Sequence, residues 1–419
     1  MLDRTVAPPF SRSTQFDLIH PDEIVLDNGV RIFSVSGGNQ KVIKVELLFP
    51  AGRWYETNWG AAYFSAQLLS KGTAKKSSFE IAQILDQYGA HLDISPGLDL
   101  VSVALYTLTK NLQPTLALLY EILEQANFPE NEIRQMKSVY LQNLKVNNEK
   151  TSFLASRLLR KNLYGENYPY GKELDEADVQ GLTRDMFVSH ISKHFRHLTV
   201  IVSGDVTSEA LKLIKNTFAT YPFAISTSPS HTAVIARPFR QLQEKEGSLQ
   251  ASLRSAKESV DRMHADYPAI LLLSHVLGGF FGSRLMKNIR EEKGLTYGIY
   301  ASLHTQKHRR YMVIGADVNK ENLELTFDEI RKELKRLRTE KIESEELDVA
   351  RNHFIGSLQS EMTTPFAHAD KIKTSFIFNL PDDYYQKLIL RLDALSADEL
   401  VETAGRYFNE ETFFEVAVG

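Results

Sequence analysis

His190, His194 and His197 in the run HISKHFRH have the residue type and spacing of a metal site. Two imidazoles four residues apart share one face of a helix and can ligate a single cation. Hydrolytic metal chemistry also needs a base beside the metal, and no carboxylate lies between His190 and His194. The run equally has the pattern of an amphipathic helix ahead of a strand, so the expectation is a solvated or partly packed helix. Gly278-Gly279-Phe280-Phe281-Gly282 is a second candidate, as a phosphate loop. It precedes a helix rather than following a strand, and no Gly-Lys-Ser/Thr follows, which sets that chemistry aside. The chain has no cysteine. That removes thiolate ligands, cysteine nucleophiles and disulfides together, and it fits a reducing compartment.

The elements that would position any site are legible from periodicity. The opening 15 or so residues read as an arm with no core of its own. VLDNGVRIFSV sets two apolar runs around Asp27-Asn28-Gly29, a tight-turn signal in which Asn and Gly tolerate the positive φ of a primed turn. KVIKVELLFPAG is a third apolar run. A helical period holds from Trp59 to about Leu69, and SSFEIAQILDQYGA is a second helix, capped by Ser77 or Ser78 and ended by Gly89. HLDISPGLDLVSVALYTLT alternates at period two, as a hairpin does. Long helical stretches follow to Gly165, and the unit closes with the helix TRDMFVSHISKHF and the strand LTVIVSGD.

The same order recurs in SLQASLRSAKESVD, YPAILLLSHVLGG, GLTYGIYASLHTQKHRRYMVIGADV and LELTFDEIRKELKRLRTEKI. FPENEIRQMKSVYLQNL aligns with KIESEELDVARNHFIGSL, placing Glu132 opposite Glu346. TRDMFVSHISKHFRHLTVIVSG aligns with SADELVETAGRYFNEETFFEVAVG, placing Gly204 opposite Gly419. The two offsets agree to within one residue, so the chain reads as a tandem duplication. The expected organisation is an α+β domain at 1–221, a Pro/Ser-rich linker at 222–234 and a second α+β domain at 235–419. Each would be a mostly antiparallel sheet covered by long helices. A formal charge of −4 without a dense Lys/Arg tract argues against a nucleic-acid partner. No run approaches the roughly 20 apolar residues of a membrane span. The first residues lack an apolar core of signal-peptide length, so the expected location is cytoplasmic.

These pieces together resemble a known family. The Asn28-Gly29 hairpin, the strand ending at Ala51-Gly52, and GAAYFSAQLLSKGT closing at Lys71-Gly72-Thr73 are similar to the opening of pitrilysin-like zinc metallopeptidases (inverzincins), among them insulinase and mitochondrial processing peptidase. LYGENYPYGKELDEADVQGLTRDMF is similar to a later stretch, with Tyr168 where the family has His. The resemblance runs from about Val25 to Gly419. In that frame the family's H-x-x-E-H falls on Tyr63, Ala66 and Gln67, and its third zinc ligand, a Glu on a later helix, falls near Asn143. A phenol, a methyl and two amides then stand where imidazoles and carboxylates would bind zinc and activate water. The resemblance implies a degenerate site, with no metal or other cofactor in this chain.

LGGFFGSRLMKNIREEKGLTYGIYAS resembles the segment that, in active relatives, contributes an Arg and a Tyr to the peptide-binding side of the chamber. Those positions are Arg290 and Tyr297. The resemblance gives them a catalytic role in trans: a guanidinium holds the substrate carbonyl and a phenol donates to the developing oxyanion. It implies the non-catalytic subunit of a heterodimeric metallopeptidase, with zinc in a homologous partner bearing H-x-x-E-H. The substrate would be an unfolded peptide, paired in extended form with the edge offered by HLDIS. The alternative is a catalytically inactive scaffold or peptide-binding homologue with no role in hydrolysis.

Overall fold

The computed structural model describes residue 5, residues 14–232 and residues 237–419. The first half runs β1 (Asp22–Val25), β2 (Arg31–Ser36), β3 (Val42–Phe49), α1 (Ala61–Leu68), α2 (Ser78–Gln87), β4 (His91–Pro96), β5 (Val101–Leu108), α3 (Leu112–Gln125), α4 (Glu130–Asn148), α5 (Thr151–Tyr164), α6 (Glu176–Gly181), α7 (Arg184–His194), β6 (Thr199–Gly204) and α8 (Ser208–Phe218). The second runs β7 (Arg240–Gln243), β8 (Gln250–Glu258), α9 (Tyr267–Gly278), a π-helical segment (Met286–Glu292), β9 (Thr296–Thr305), β10 (Arg310–Asn319), α10 (Leu323–Thr339), α11 (Ser344–Ser360), α12 (Pro365–Phe378), α13 (Tyr384–Ala394), α14 (Ala397–Tyr407) and β11 (Phe414–Val418).

The strands form two sheets, ordered β1-β2-β6-β3-β5-β4 and β7-β11-β8-β10-β9. Apart from β1, the orders superimpose, and in each the one parallel pair is the equivalent one, β2 with β6 and β7 with β11. The fold is therefore α+β, with two sheets of repeated topology covered by helices. Residues 222–232 carry neither helix nor strand. Residues 233 and 234 of the expected linker, and most of the expected N-terminal arm, lie outside the described residues.

Several local expectations need correction. The hairpin after β1 uses a three-residue loop, in which Gly29 has φ 96° and Asn28 does not have positive φ. Asn28 instead donates its amide to the carbonyls of Phe218 and Tyr221, tying the hairpin to the end of α8. The first half does not close at β6, because α8 follows, its Thr207 side chain accepting from the amide of Ala210. The capping of α2 by Ser77 is as expected, a reciprocal box with Glu80. Gly52 is fixed by close approach: a Cβ there would lie 2.7 Å from the backbone of the 97–99 turn. That turn bonds Arg53 and Trp54 through the carbonyls of Gly97 and Leu98, holding the entry to α1 against the β4–β5 hairpin.

One face of each sheet packs against helices of its own half. The other face does not. α5, from the first half, lies on β8 and β11, while α12, from the second half, lies on β2 and β6. Leu159, Leu163 and Tyr164 thus share a core with Ala256, Val313 and Val416, and Phe33, Val35 and Ile201 share one with Ala369 and Ile372. The N-terminal segment crosses as well: Phe16 is buried against the second half, its amide donating to Gln386.

A charged cluster sits under α12. Glu46 meets Lys44 at 2.7 Å and Lys373 at 2.9 Å, and accepts from the hydroxyl of Ser102. Burial acts to raise the Glu46 carboxyl, but the two lysines outweigh it and hold it below its usual range. Burial likewise opposes the charge on Lys44, yet Glu46 and Asp370 carry it up to about 12. Removing one member of such a cluster strands a buried charge, which costs far more than the intact cluster contributes. Glu46→Ala is expected to lower the unfolding free energy by about 3 kcal/mol, measured by urea denaturation. The double variant Lys44→Met, Glu46→Leu should recover most of that loss.

Candidate functional site

α1 is an Ala-rich helix (AAYFSAQL) whose first turn is held by Glu56, which accepts from the amides of Gly60 and Ala62. Tyr63 and Gln67 lie one turn apart and face α4. On α4, Glu132, Met136, Tyr140 and Asn143 recur at helical spacing and form the opposite wall. Between the helices lies a cavity of 280 Å³ lined by Tyr63, Gln67 and Asn143, with Lys71, Glu132 and Tyr140 among its other walls. Three of the four positions expected to mark a former zinc site are thus brought together. Ala66 is not among them: its methyl is fully buried in the first sheet's core.

The donor set does not suit zinc. Tyr63 stacks edge-on against Tyr140, ring centroids 5.4 Å apart. Burial pushes both phenols up, Tyr140 to about 12, so neither is a phenolate near neutrality. Gln67 donates its amide to the carbonyl of Ile94 on β4 at 3.0 Å, turning toward the edge strand and leaving its oxygen as a weak ligand. Among the described residues no group of three or more His, Cys, Asp or Glu is placed to hold a metal ion. The cavity therefore brings these three positions together without the ligand chemistry of a zinc site.

The three histidines of the α7 region are packing residues. His190 is buried, and its Nε2 donates to the carbonyl of Ala51 at 2.8 Å, which places α7 behind the entry to α1. His194 lies against Tyr55, and His197 accepts the amide of Ser226. Burial pushes His190 down to about 4.

Arg290 and Tyr297 are also brought together. The Arg290 guanidinium lies 5.2 Å from the centroid of the Tyr297 ring and 4.5 Å from that of Phe281. Tyr297 is 91% exposed and Phe281 61%, so neither ring is there to fill a core. Two backbone irregularities flank the pair. Arg290 stands on the π-helical segment, where the first half has the regular helix α2 at the equivalent place. Tyr297 stands where the β9–β10 register shifts, between the pairs Ala316–Ile299 and Val318–Thr296. Wide helical turns and bulges both re-aim side chains and recur at functional sites. Sequence reasoning did not find Phe281 as a partner of Arg290. Its signal was an aromatic in a glycine-rich turn, where no core position is available.

Residues 31–175 match the family described as insulinase (peptidase family M16), and residues 181–354 match the description peptidase M16 inactive domain. The chain is 22% identical over 397 residues to a protein of Bacillus subtilis named as the uncharacterized zinc protease YmxG, covering 92% of this chain and 95% of that protein. It is 22% identical over 346 residues to a Helicobacter pylori protein named as the non-peptidase homolog YmxG, covering 81% and 80%. The crystal structure of a peptidase M16 inactive domain from Pseudomonas fluorescens superimposes with a TM-score of 0.88 at 23% identity, covering 95% of this chain and 98% of that one.

Two outcomes are expected. The triple substitution Tyr63→His, Gln67→His, Asn143→Glu should bind about one zinc per chain by metal analysis after gel filtration, with the unsubstituted chain binding none. The His190 pKa in the fold lies below that in the unfolded chain, so its contribution is intact above 6.5 and is lost as pH falls from 6.5 toward 4. Between pH 7.5 and 5 that loss is about 2 kcal/mol of unfolding free energy. His190→Gln, which keeps a donor for Ala51, should flatten that part of the profile.

Proposed function

The chain belongs to the insulinase family, peptidase family M16, and we propose that within it the chain is the non-catalytic subunit of a heterodimeric peptidase. It forms half of the peptide chamber and contributes Arg290 and Tyr297 to binding and polarising the scissile carbonyl. The carrying observation is the exposed pair itself. A tyrosine left 91% in water, with a guanidinium against its ring, gains little from burial and is explained by a group that arrives from outside. The guanidinium donates to a peptide carbonyl and the phenol hydroxyl donates to the oxygen as negative charge develops. Hydrolysis itself belongs to a homologous partner carrying H-x-x-E-H and zinc, because Tyr63, Gln67 and Asn143 at the wall of the α1–α4 cavity put a phenol and two amides where zinc ligands would stand. Peptide reaches the pair in extended form, a geometry that the outer edge of β4 or β9 can hold by strand addition.

A second reading, an inactive scaffold or peptide-binding homologue, is favoured by the name of the Helicobacter pylori relative. Reconstitution separates the two. On the first reading, neither this chain nor an H-x-x-E-H partner cleaves an unfolded peptide alone at a rate near that of the pair. Tyr297→Phe in the complex is expected to lower kcat by about 10²-fold, the typical loss of one oxyanion donor, with little change in assembly by gel filtration. Unchanged cleavage by the Tyr297→Phe complex would overturn the role given to Arg290 and Tyr297, cleavage by the partner alone at the rate of the pair would favour the second reading, and chelator-sensitive activity from this chain alone would overturn both.

A further inference from the structure

Among the described residues the Arg290 guanidinium meets no carboxylate and no hydrogen-bonding group, only the rings of Phe281 and Tyr297. An arginine side chain has many rotamers, and Tyr297 is itself almost wholly exposed, so a fixed position for the guanidinium has to come from the side of Phe281. Phe281 is exposed too, but Phe280, its neighbour in the chain, turns the other way, into the contact between α9 and α11. The Phe280 ring stacks on His275 of α9 and on His353 of α11, with centroids 4.9 Å apart in both cases and planes 16° and 30° apart. The two imidazoles are bonded to each other: Nε2 of His275 lies 3.1 Å from Nδ1 of His353, one ring donating and the other accepting. Burial and the neighbouring His353 push His275 down to about 4, which keeps its ring uncharged near neutrality. The turn after α9 is shaped to this plate. A Cβ on Gly279 would lie 2.3 Å from Nδ1 of His275, and one on Gly282 would lie 2.9 Å from the Phe280 ring.

Packing alone does not call for such a pair. Two aliphatic side chains would join α9 to α11 without desolvating a hydrogen-bonding ring. What the histidines add is direction: a bond between rings fixes both planes, and a flat bonded plate fixes the aromatic ring stacked on it. The internal repeat supplies the contrast. The alignment that sets Glu132 opposite Glu346 sets Val139 opposite His353, and Val139 stands half-exposed at the wall of an open cavity. We propose that His275, His353 and Phe280 are positioning residues that hold Arg290 in place. The bonded imidazoles fix Phe280, Phe280 fixes the turn, and the turn presents Phe281 as the surface on which the guanidinium rests. Arg290 is held this way whatever it binds, while any consequence for cleavage rests on the role proposed for it above.

The test follows the Nε–H signal of Arg290 in proton–nitrogen spectra of the full chain, identified by its loss in Arg290→Lys. Lying over two rings, it is expected upfield of the signals of arginines that touch no ring. His353→Ala and Phe280→Leu should each return it to the ring-free position and leave the signals of distant arginines unmoved. Phe280→Tyr, which keeps a stacking ring, should hold it in place. In the reconstituted pair, His353→Ala should lower kcat/KM about tenfold when Arg290 is present and not at all in an Arg290→Leu background, the non-additivity of residues that act as one unit. An Arg290 signal that stays in place in both His353→Ala and Phe280→Leu overturns the inference, as does an equal displacement in Phe280→Tyr. A signal that moves while cleavage is unchanged upholds the positioning and overturns the role given to Arg290 in hydrolysis. Should His353→Ala fail to fold, Phe280→Leu and Phe280→Tyr decide.

Discussion

Each sheet of this chain is closed on one face by a helix from the other half, and the remaining architecture depends on that exchange. A sheet with one uncovered apolar face is not a stable unit in water. α5 and α12 supply the missing layers reciprocally. Both seams are partly polar. Glu46 is held between Lys44 and Lys373 under α12. Under α5, Arg254 donates to Ser156 and to the carbonyl of Ser152, while Thr151 and Ser252 share a hydroxyl contact. Apolar contacts drive the closure, and the buried polar groups restrict how each helix can sit, since a slipped register would strand them. The two halves therefore hold the α1–α4 cavity and the Arg290–Tyr297 pair on one interlocked framework.

Within that framework the internal repeat makes departures from regularity informative. The sheets agree in order and in the placing of their parallel pair. The helices before their edge hairpins do not agree. α2 is regular and capped by a reciprocal Ser77–Glu80 box, whereas the corresponding segment of the second half is a π-helix. A π turn sacrifices hydrogen-bond geometry, so its presence where the other copy is regular calls for compensation elsewhere. The wide turn and the register shift at the start of β9 together stand Arg290 between two exposed rings.

Much of this was legible in the sequence, and the boundary is a physical one. Periodicity found the strands and most helices because it reports that one face is buried. It could not say against what, so the α5 and α12 exchange left no trace: an amphipathic helix reads alike whichever sheet it covers. Asn28-Gly29 announced a hairpin, but which of the two would take positive φ depended on Asn28 finding the carbonyls at the end of α8. The absence of ligand chemistry at Tyr63, Gln67 and Asn143 was evident from residue types, and the cavity brings these three together. Their arrangement with Lys71 and Tyr140 was not evident, because it needs the packing of α1 on α4. His190 looked like half of a ligand pair in one dimension, and its actual partner, the carbonyl of Ala51, is 139 residues away.

Ala66 stands apart from Tyr63, Gln67 and Asn143. Its methyl has joined the first sheet's core, where any polar replacement would need a partner that the surroundings do not supply. Tyr63, Gln67 and Asn143 lie at the wall of an open cavity. If only packing acted on these positions, apolar residues would close the gap and gain the dispersion energy that a void forgoes. An open cavity walled by two phenols, amides, the Lys71 ammonium and the Glu132 carboxylate forgoes that gain at all of them together.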